Sequence, residues 1–398
     1  MTDKICLAPW THLHTWPNND VYPCCLAPME NPVGNLKNQT LEQVWNSQEM
    51  KDMRLSMLKG NLPLKTCSKC IELESHGQDS LRHFFSTRFR KHAHRPAETN
   101  PDGSLDDLSI VYWDFRFSNI CNMRCRSCGP QLSTGWYEDT KKLWGHLPDD
   151  VPDPGKNKNM WEEIVPLFDI VEEIYFAGGE PLIMEEHYRI LNKLVDMGKT
   201  NVRIRYNTNF SRMQYKKMNV LDVWSKFDSV SVGASLDAHN KAGEYIRKGT
   251  IWPDIVKNRL AMIEKAPNAD FFITCTVSVL NSFRIINFHK YLVEQGLISH
   301  PRQMHLNFVQ DPSYLRIQIL PQHLKDKLTI EYQEYAEVLR KQDCNPLADN
   351  FIALVDYMNS SDQTNLISQF KLRQQQIDVV RNENLIDVLP ELAELYND

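Results

Sequence analysis

SNICNMRCRSCGP, residues 118–130, decides how the rest of the chain is read. It sets Cys121, Cys125 and Cys128 at the spacing C-x3-C-x2-C, directly after a stretch of strand character, Ile110–Phe117. Three thiolates within eight residues of loop can converge on three irons of a cubane, leaving the fourth iron without a protein ligand. Soft thiolates suit iron–sulfur clusters or zinc, so cysteine alone does not choose between them. A closed structural zinc site wants a fourth ligand, and no fourth Cys or His lies nearby in the sequence. The position matters as well, because ligand sites in parallel βα folds form where loops leave the carboxyl ends of strands.

Outward from this loop the pattern alternates. Ile110–Phe117, Glu173–Phe176, Val202–Tyr206, Ser229–Ser235, Phe271–Val279 and Met304–Val309 read as strands. Helical stretches, His187–Met197, Ile255–Lys265 and Phe288–Gln295 among them, fall between. Six βα-type units predict an α/β fold with a parallel sheet curved into a partial (β/α)6 barrel, residues 109–320. From Pro321 onward strands cease. Leu324, Leu328, Tyr332, Tyr335 and Leu339 recur at helical spacing, as do Phe351, Leu354, Val355 and Met358, so residues 321–398 read as a helical extension.

Upstream, residues 1–91 form a small α+β block. His12–Trp16 and Val21–Cys24 flank Pro-Asn-Asn-Asp, a hairpin signal. Thr40 with Gln43 makes a capping box that opens a helix turning Leu41, Val44 and Trp45 inward and stopping at Gly60. The polar run HAHRPAETNPDGSLDD reads as a linker over residues 92–108. The block holds Cys6, Cys24, Cys25, Cys67 and Cys70, with the last two in a C-x2-C pair. A hairpin and a helix that bring a distant Cys pair to a local one imply a closed metal site stapling the fold, iron–sulfur or zinc. Neighbours on a strand point oppositely, so Cys24 is taken as the ligand with Cys25 as the alternative.

Composition narrows the class. The 398 residues are 42% hydrophobic and 24% charged, ordinary for a globular protein. No apolar run approaches the ~20 residues of a bilayer span, and MTDKICLAPWTHLH lacks the features of a signal peptide, so a cytoplasmic, non-membrane protein is expected. A net charge of −6 argues against broad nucleic-acid binding. The basic run RHFFSTRFRKHAHR, Arg82–Arg95, reads first as a solvated connecting helix and second as an anion-gripping patch. Two clusters among ten cysteines point to two metal sites rather than a disulfide framework. Cys275 sits in an apolar strand and reads as core, Cys344 as incidental, and His12 and His14 carry no assigned role.

The cysteine loop resembles that of the radical S-adenosylmethionine (SAM) superfamily. The resemblance runs through most of Ile110–Val309, because the next strand ends in YFAGGEPLI, where Gly178, Gly179, Glu180 and Pro181 match the family's GGE motif. Paired glycines let a ligand approach the backbone, and Glu180 offers acceptors to an ammonium group. The resemblance implies a [4Fe–4S] cluster on Cys121, Cys125 and Cys128 whose open iron is chelated by SAM. It further implies cofactor contacts from Asn207, with Asn209 beside it, from Ser235 and Asp237 at a ribose-contacting position, and from Arg247 near the SAM carboxylate. Each of these also has a plain capping or turn role open to it. Many members carry an aromatic residue before the third cysteine, whereas this chain has Ser127.

The order Cys6, Cys24-Cys25, the capped helix and Cys67-Ser-Lys-Cys70 is similar to the SPASM or twitch module, which binds auxiliary [4Fe–4S] clusters. Its implied ligands are Cys6, Cys24, Cys67 and Cys70, with zinc as the alternative occupant. Such modules usually follow the radical SAM core, but here the module precedes it. The combined resemblance implies reductive cleavage of SAM and hydrogen abstraction from a substrate, with electrons from a donor such as flavodoxin or ferredoxin. Anaerobic sulfatase maturases and peptide-natural-product maturases share the module, so a peptide or protein substrate is expected first. Oxidation of a small-molecule substrate, an alcohol or amino sugar, is the second expectation. A non-catalytic iron–sulfur redox sensor or assembly protein is a third, which the intact GGEP counts against.

Overall fold

Strand alternation and helix caps set out a chain of two units, described for residues 5–75, 79–153 and 160–396 of the computed structural model. The first unit comprises residues 1–119, 152–178 and 189–205, and the second 120–151, 179–188 and 206–398. Residues 1–4, on which part of the leader-peptide expectation rests, lie outside the described residues.

In the first unit the expected hairpin forms from β1 (His12–Thr15) and β2 (Asp20–Tyr22), which pair antiparallel. Its turn is made by Asn19 at φ 72°, a left-handed conformation that Asn tolerates. β3 (Gly34–Asn35) adds to β2, and β4 (Tyr112–Phe115) pairs parallel with β1 in the register His12 to Tyr112 through Thr15 to Phe115. β5 (Glu173–Phe176) lies parallel on the far side of β4, next to the first residues of β6 (Arg203–Thr208). The Thr40–Gln43 capping box is present in both directions, but one long helix is replaced by two, Leu41–Trp45 and Gln48–Leu58. The break comes at Asn46, because Ser47 caps a fresh start by accepting from the Met50 N–H.

Buried Arg54 shows how the polar stretch after His92 is tied in. Its guanidinium donates to the carbonyls of Pro9 (2.9 Å), Trp45 (2.8 Å) and Gly103 (3.3 Å) and lies over the Trp45 ring. Trp45 Nε1 donates to Asp107 O, and Asn46 Nδ2 to Leu105 O. The basic run is a helix, Leu81–Arg88, followed by short 3-10 turns, with Phe85 buried. Most of its cations meet carboxylates: Arg82 meets Glu74, Arg88 meets Glu173, Lys91 and His92 meet Glu172, and Arg95 meets Glu98 and Asp107. Most of the stripe's charge is therefore met within the chain.

In the second unit the end of β6 neighbours β9 (Val230–Ser235). A two-residue hairpin, β7 (Gln214–Tyr215) and β8 (Met218–Asn219), intervenes in the chain. β10 (Ala269–Val277) lies parallel to β9, and β11 (Met304–Phe308) parallel to β10. The strand boundaries depart from expectation by one to two residues at most ends, which places Asn207 inside β6. Helices Glu185–Asp196, Trp252–Lys265 and Ile285–Glu294 occupy the expected intervals. The parallel α/β class therefore stands. Beyond Pro321 the described residues are mostly helical: Gln322–Arg340 and Asn345–Asn359 bury the apolar positions named above, and Ile367–Arg381 buries Phe370 and Ile377. Among the described residues no helix is long and apolar enough to cross a membrane.

Candidate metal centres

In the first unit, Cys67 and Cys70 sit three residues apart on the helix Leu64–Ser75, a spacing that puts both thiols on one face. They line a pocket with Cys6, which precedes a short helix, and Cys24, which follows β2. Met53, Leu62, Leu81 and Phe85 wall it, and Arg82 is its one cationic lining residue. Burial pushes the Cys6 and Cys67 thiols up to about 12 and Cys24 well above its usual value. Metal binding here must expel protons, which soft iron or zinc achieves by coordination. Cys25 is exposed and interacts electrostatically with Asp114 and Arg116. Strand alternation is not what separates the pair, since β2 ends at Tyr22 and both cysteines lie in the turn that follows.

The central loop belongs to the second unit. Cys128 N donates to Cys125 O (3.0 Å), closing a tight turn that carries two of the three thiols. Arg124 N and Arg126 N donate to Lys248 O and Ile246 O, both at 2.9 Å, and Trp136 Nε1 donates to Cys125 O at 3.0 Å. Gly249, at φ +108°, lets the backbone after Lys248 lie against the loop: a side chain there would stand 2.9 Å from Asn122 O. Burial raises all three thiols, Cys121 and Cys128 to about 12, while Arg247 counteracts this at Cys125.

Polar groups frame these sulfurs. Arg247 forks Asp237 through Nε (2.7 Å) and Nη2 (3.0 Å) and turns Nη1 toward Cys125 Sγ at 3.9 Å. Asp237 Oδ1 also accepts from the Thr276 N–H at 2.8 Å, so its carboxylate is engaged by the chain itself. Asn209 Nδ2 stands 3.9 Å from Cys121 Sγ and donates to Asn122 Oδ1 at 3.0 Å. Glu180 is buried, and burial raises its carboxyl against three donors: Leu182 N (3.0 Å), Thr208 Oγ1 (2.7 Å) and Asn209 N (2.7 Å). Its first structural task is therefore to fasten the turn after β5 to the end of β6. Gly178 and Gly179 both have positive φ, and the Arg116 side chain fills the space beside Gly178 where a Cβ would go. Pro181 opens a 3-10 turn. Asn207 Oδ1 lies close over Gly233, and Ser235 ends β9, half-buried and opposite Thr274.

The structure thus groups Cys121 with Asn209 and Asn122, and Cys125 with Arg247 and Asp237. Asn207 and Ser235 make no contact with the sulfurs among the described interactions. Three soft thiols with a guanidinium beside them fit an anionic iron–sulfur cluster. Among the described residues no three His, Cys, Asp or Glu side chains are drawn to the distances of a single metal ion; the amino-terminal thiols line one shared pocket. Sequence reasoning missed Arg124 and Arg126, whose signal was two cations placed between cysteine ligands. His14, set aside earlier, bonds Asp114 Oδ2 through Nδ1 at 2.7 Å, inside the first unit. Cys275 is buried core, as expected, and Cys344 is also buried.

No curated protein matches the chain. Solved structures of anSMEcpe with bound AdoMet, and with AdoMet and a Cp18Cys peptide, are each 16% identical, at TM-scores of 0.40 and 0.38. Each match covers 57% of this chain, and 61% and 60% of those chains. TYW1 with a lysine-pyruvate adduct is 15% identical over 56% of this chain and 70% of that one, at a TM-score of 0.30. The chain spans about three fifths of the anSMEcpe structures, and resemblance at this level carries no argument about activity. Residues 6–71, by contrast, match the model of the SPASM iron–sulfur cluster-binding domain, a span that holds Cys6, Cys24, Cys67 and Cys70. The occupant expected at the amino-terminal thiols is accordingly an iron–sulfur cluster rather than zinc, and these residues are similar to the SPASM iron–sulfur cluster-binding domain.

Proposed function

We propose that the chain is a radical SAM enzyme with an amino-terminal auxiliary cluster. On this reading residues 1–91 are the module, 92–108 the linker, 109–320 the radical SAM partial barrel and 321–398 the helical extension. One observation carries it: Arg247 turns an N–H toward Cys125 and Asn209 an amide toward Cys121 in the loop that also holds Cys128, and no fourth Cys or His accompanies them in the described loop. Bound there, a [4Fe–4S] cluster and SAM would supply a 5′-deoxyadenosyl radical that abstracts hydrogen from a substrate carbon.

The chain's own residues orient and enclose. Arg247, fixed by Asp237, presents a single N–H beside Cys125 and a positive charge suited to a carboxylate. Asn209 holds an amide beside Cys121. Gly178, Gly179, Glu180 and Pro181 shape the turn over which the amino group of SAM is assigned, and Asn207 and Ser235 are assigned to its nucleoside. The SPASM match supports an auxiliary iron–sulfur cluster; the substrate assigned is a peptide or protein side chain, oxidised in two one-electron steps, with the auxiliary cluster as the second acceptor and flavodoxin or ferredoxin as the donor. The test is anoxic incubation of iron-loaded protein with SAM, dithionite and candidate peptides. The expected result is 5′-deoxyadenosine and a mass loss on the peptide. Turnover confined to small alcohols or amino sugars would remove the peptide assignment, and absence of 5′-deoxyadenosine would remove the enzyme.

A further inference from the structure

Arg126 lies between two cysteine ligands, yet its side chain is wholly buried and turned to the far end of the chain. It occupies the second position of the turn that Cys128 N closes on Cys125 O. Its Nη2 donates to Asp378 Oδ1 at 2.5 Å and to Glu383 Oε2 at 2.8 Å, and Nη1 donates to Gln374 Oε1 at 2.9 Å. The guanidinium stacks 3.6 Å from the Tyr245 ring, whose hydroxyl donates to the same Asp378 oxygen. Asp378 Oδ2 is taken by the Leu385 N–H. A parallel fastening stands one turn away: Arg381 donates to Asp139 Oδ2 and to Arg124 O, and Arg124 pairs with Asp139 Oδ1.

A buried guanidinium is worth its desolvation only where its nitrogens find partners, and here Nε donates to Tyr245 O, Nη1 to Gln374 and Nη2 to two carboxylates. The acids come from the helix Ile367–Arg381 and the residues just after it, more than 240 positions from the loop they hold. We infer that this helix is a working part of the cluster loop, with Arg126 as the positioning residue that fixes the Cys125–Cys128 turn and sets the charge beside it. The inference rests on the radical SAM reading of that loop. Cluster potentials follow local net charge, so the cation and its acids act in opposite directions.

The full chain is reconstituted anaerobically as wild type, R126Q, R126K and D378N, and titrated by electron paramagnetic resonance with and without SAM. Losing the cation in R126Q moves the midpoint of the SAM-responsive cluster to lower potential, and losing the anion in D378N moves it higher. R126K keeps the charge without the planar guanidinium and recovers part of the R126Q shift. If R126Q does not fold, R126K and D378N decide, and loss of the SAM-responsive signal from a variant that melts with the wild type also supports the positioning role. Wild-type potentials in the variants, or shifts of one sign in R126Q and D378N, overturn the inference and leave the enzyme reading intact. A wild type whose cluster never responds to SAM overturns both.

Discussion

The two cysteine sites are built from the same ligand and framed in opposite ways. In the first unit the thiols are walled by Met53, Leu62, Leu81 and Phe85, and the one lining cation, Arg82, is already paired with Glu74. In the second unit they are framed by Arg247, Asp237, Asn209 and Asn122, with directed N–H groups beside two of the sulfurs. An apolar wall favours a group that stays put, because it offers a newcomer no hydrogen bonds. A polar frame offers recognition. Under the radical SAM reading proposed above, the contrast corresponds to retention at the first site and ligand exchange at the second.

The sharpest way to break this contrast is to remove one ligand from each site. C125A is expected to reduce SAM cleavage to background while leaving the amino-terminal iron in place, read by 5′-deoxyadenosine and iron content. C24A is expected to lose that amino-terminal iron, roughly half of the total for two cubanes, whereas C25A, at an exposed thiol, should retain it. Equal iron in C24A and C25A would erase the distinction drawn between them.

Smaller effects sharpen the comparison. D237N leaves Arg247 buried without its charge partner, and removing one member of such a pair costs about 3–5 kcal/mol. Denaturant melts should show that loss, together with weaker SAM binding. The smallest effect concerns acid. Burial holds His12 in the first unit down at about 4 and His187 in the second down at about 3. Between those values and the ordinary 6.5 the unfolded chain takes up protons that the folded chain refuses, so stability falls as pH drops from about 6.5 toward 4. His12 alone accounts for roughly 3 kcal/mol across that window. H12F keeps a ring on Tyr112 and should flatten the slope of stability between pH 4 and 6.5. An unchanged slope would show that this imidazole is protonated inside the fold.

Much of this was legible because it is local. The capping box at Thr40, the Asn19 turn, the six strands and the C-x3-C-x2-C loop are each decided within a few residues, where periodicity and turn chemistry operate. The break at Asn46 was missed because Ser47 competes as a second cap inside an otherwise continuous helical pattern. Two other features lie beyond local reading. The parallel pairing of β1 with β4 joins residues 100 positions apart, and Arg126 finds Asp378 across 252. No spacing rule links such positions. For Arg126 the only hint was a cation set between two cysteine ligands, and for Glu180 the motif named a residue whose carboxylate the fold itself largely occupies.

The β1–β4 pairing has a consequence for biosynthesis. β1 leaves the ribosome with β2 and β3 soon after it, but its other edge waits for a partner made 100 residues later. At about 5–20 residues per second that is roughly 5–20 s with one rim of hydrogen-bonding groups unmatched. The wait is longer for the unit as a whole, because β5 and the first residues of β6 also belong to it, so the first cysteines are made well before the sheet beside them is whole.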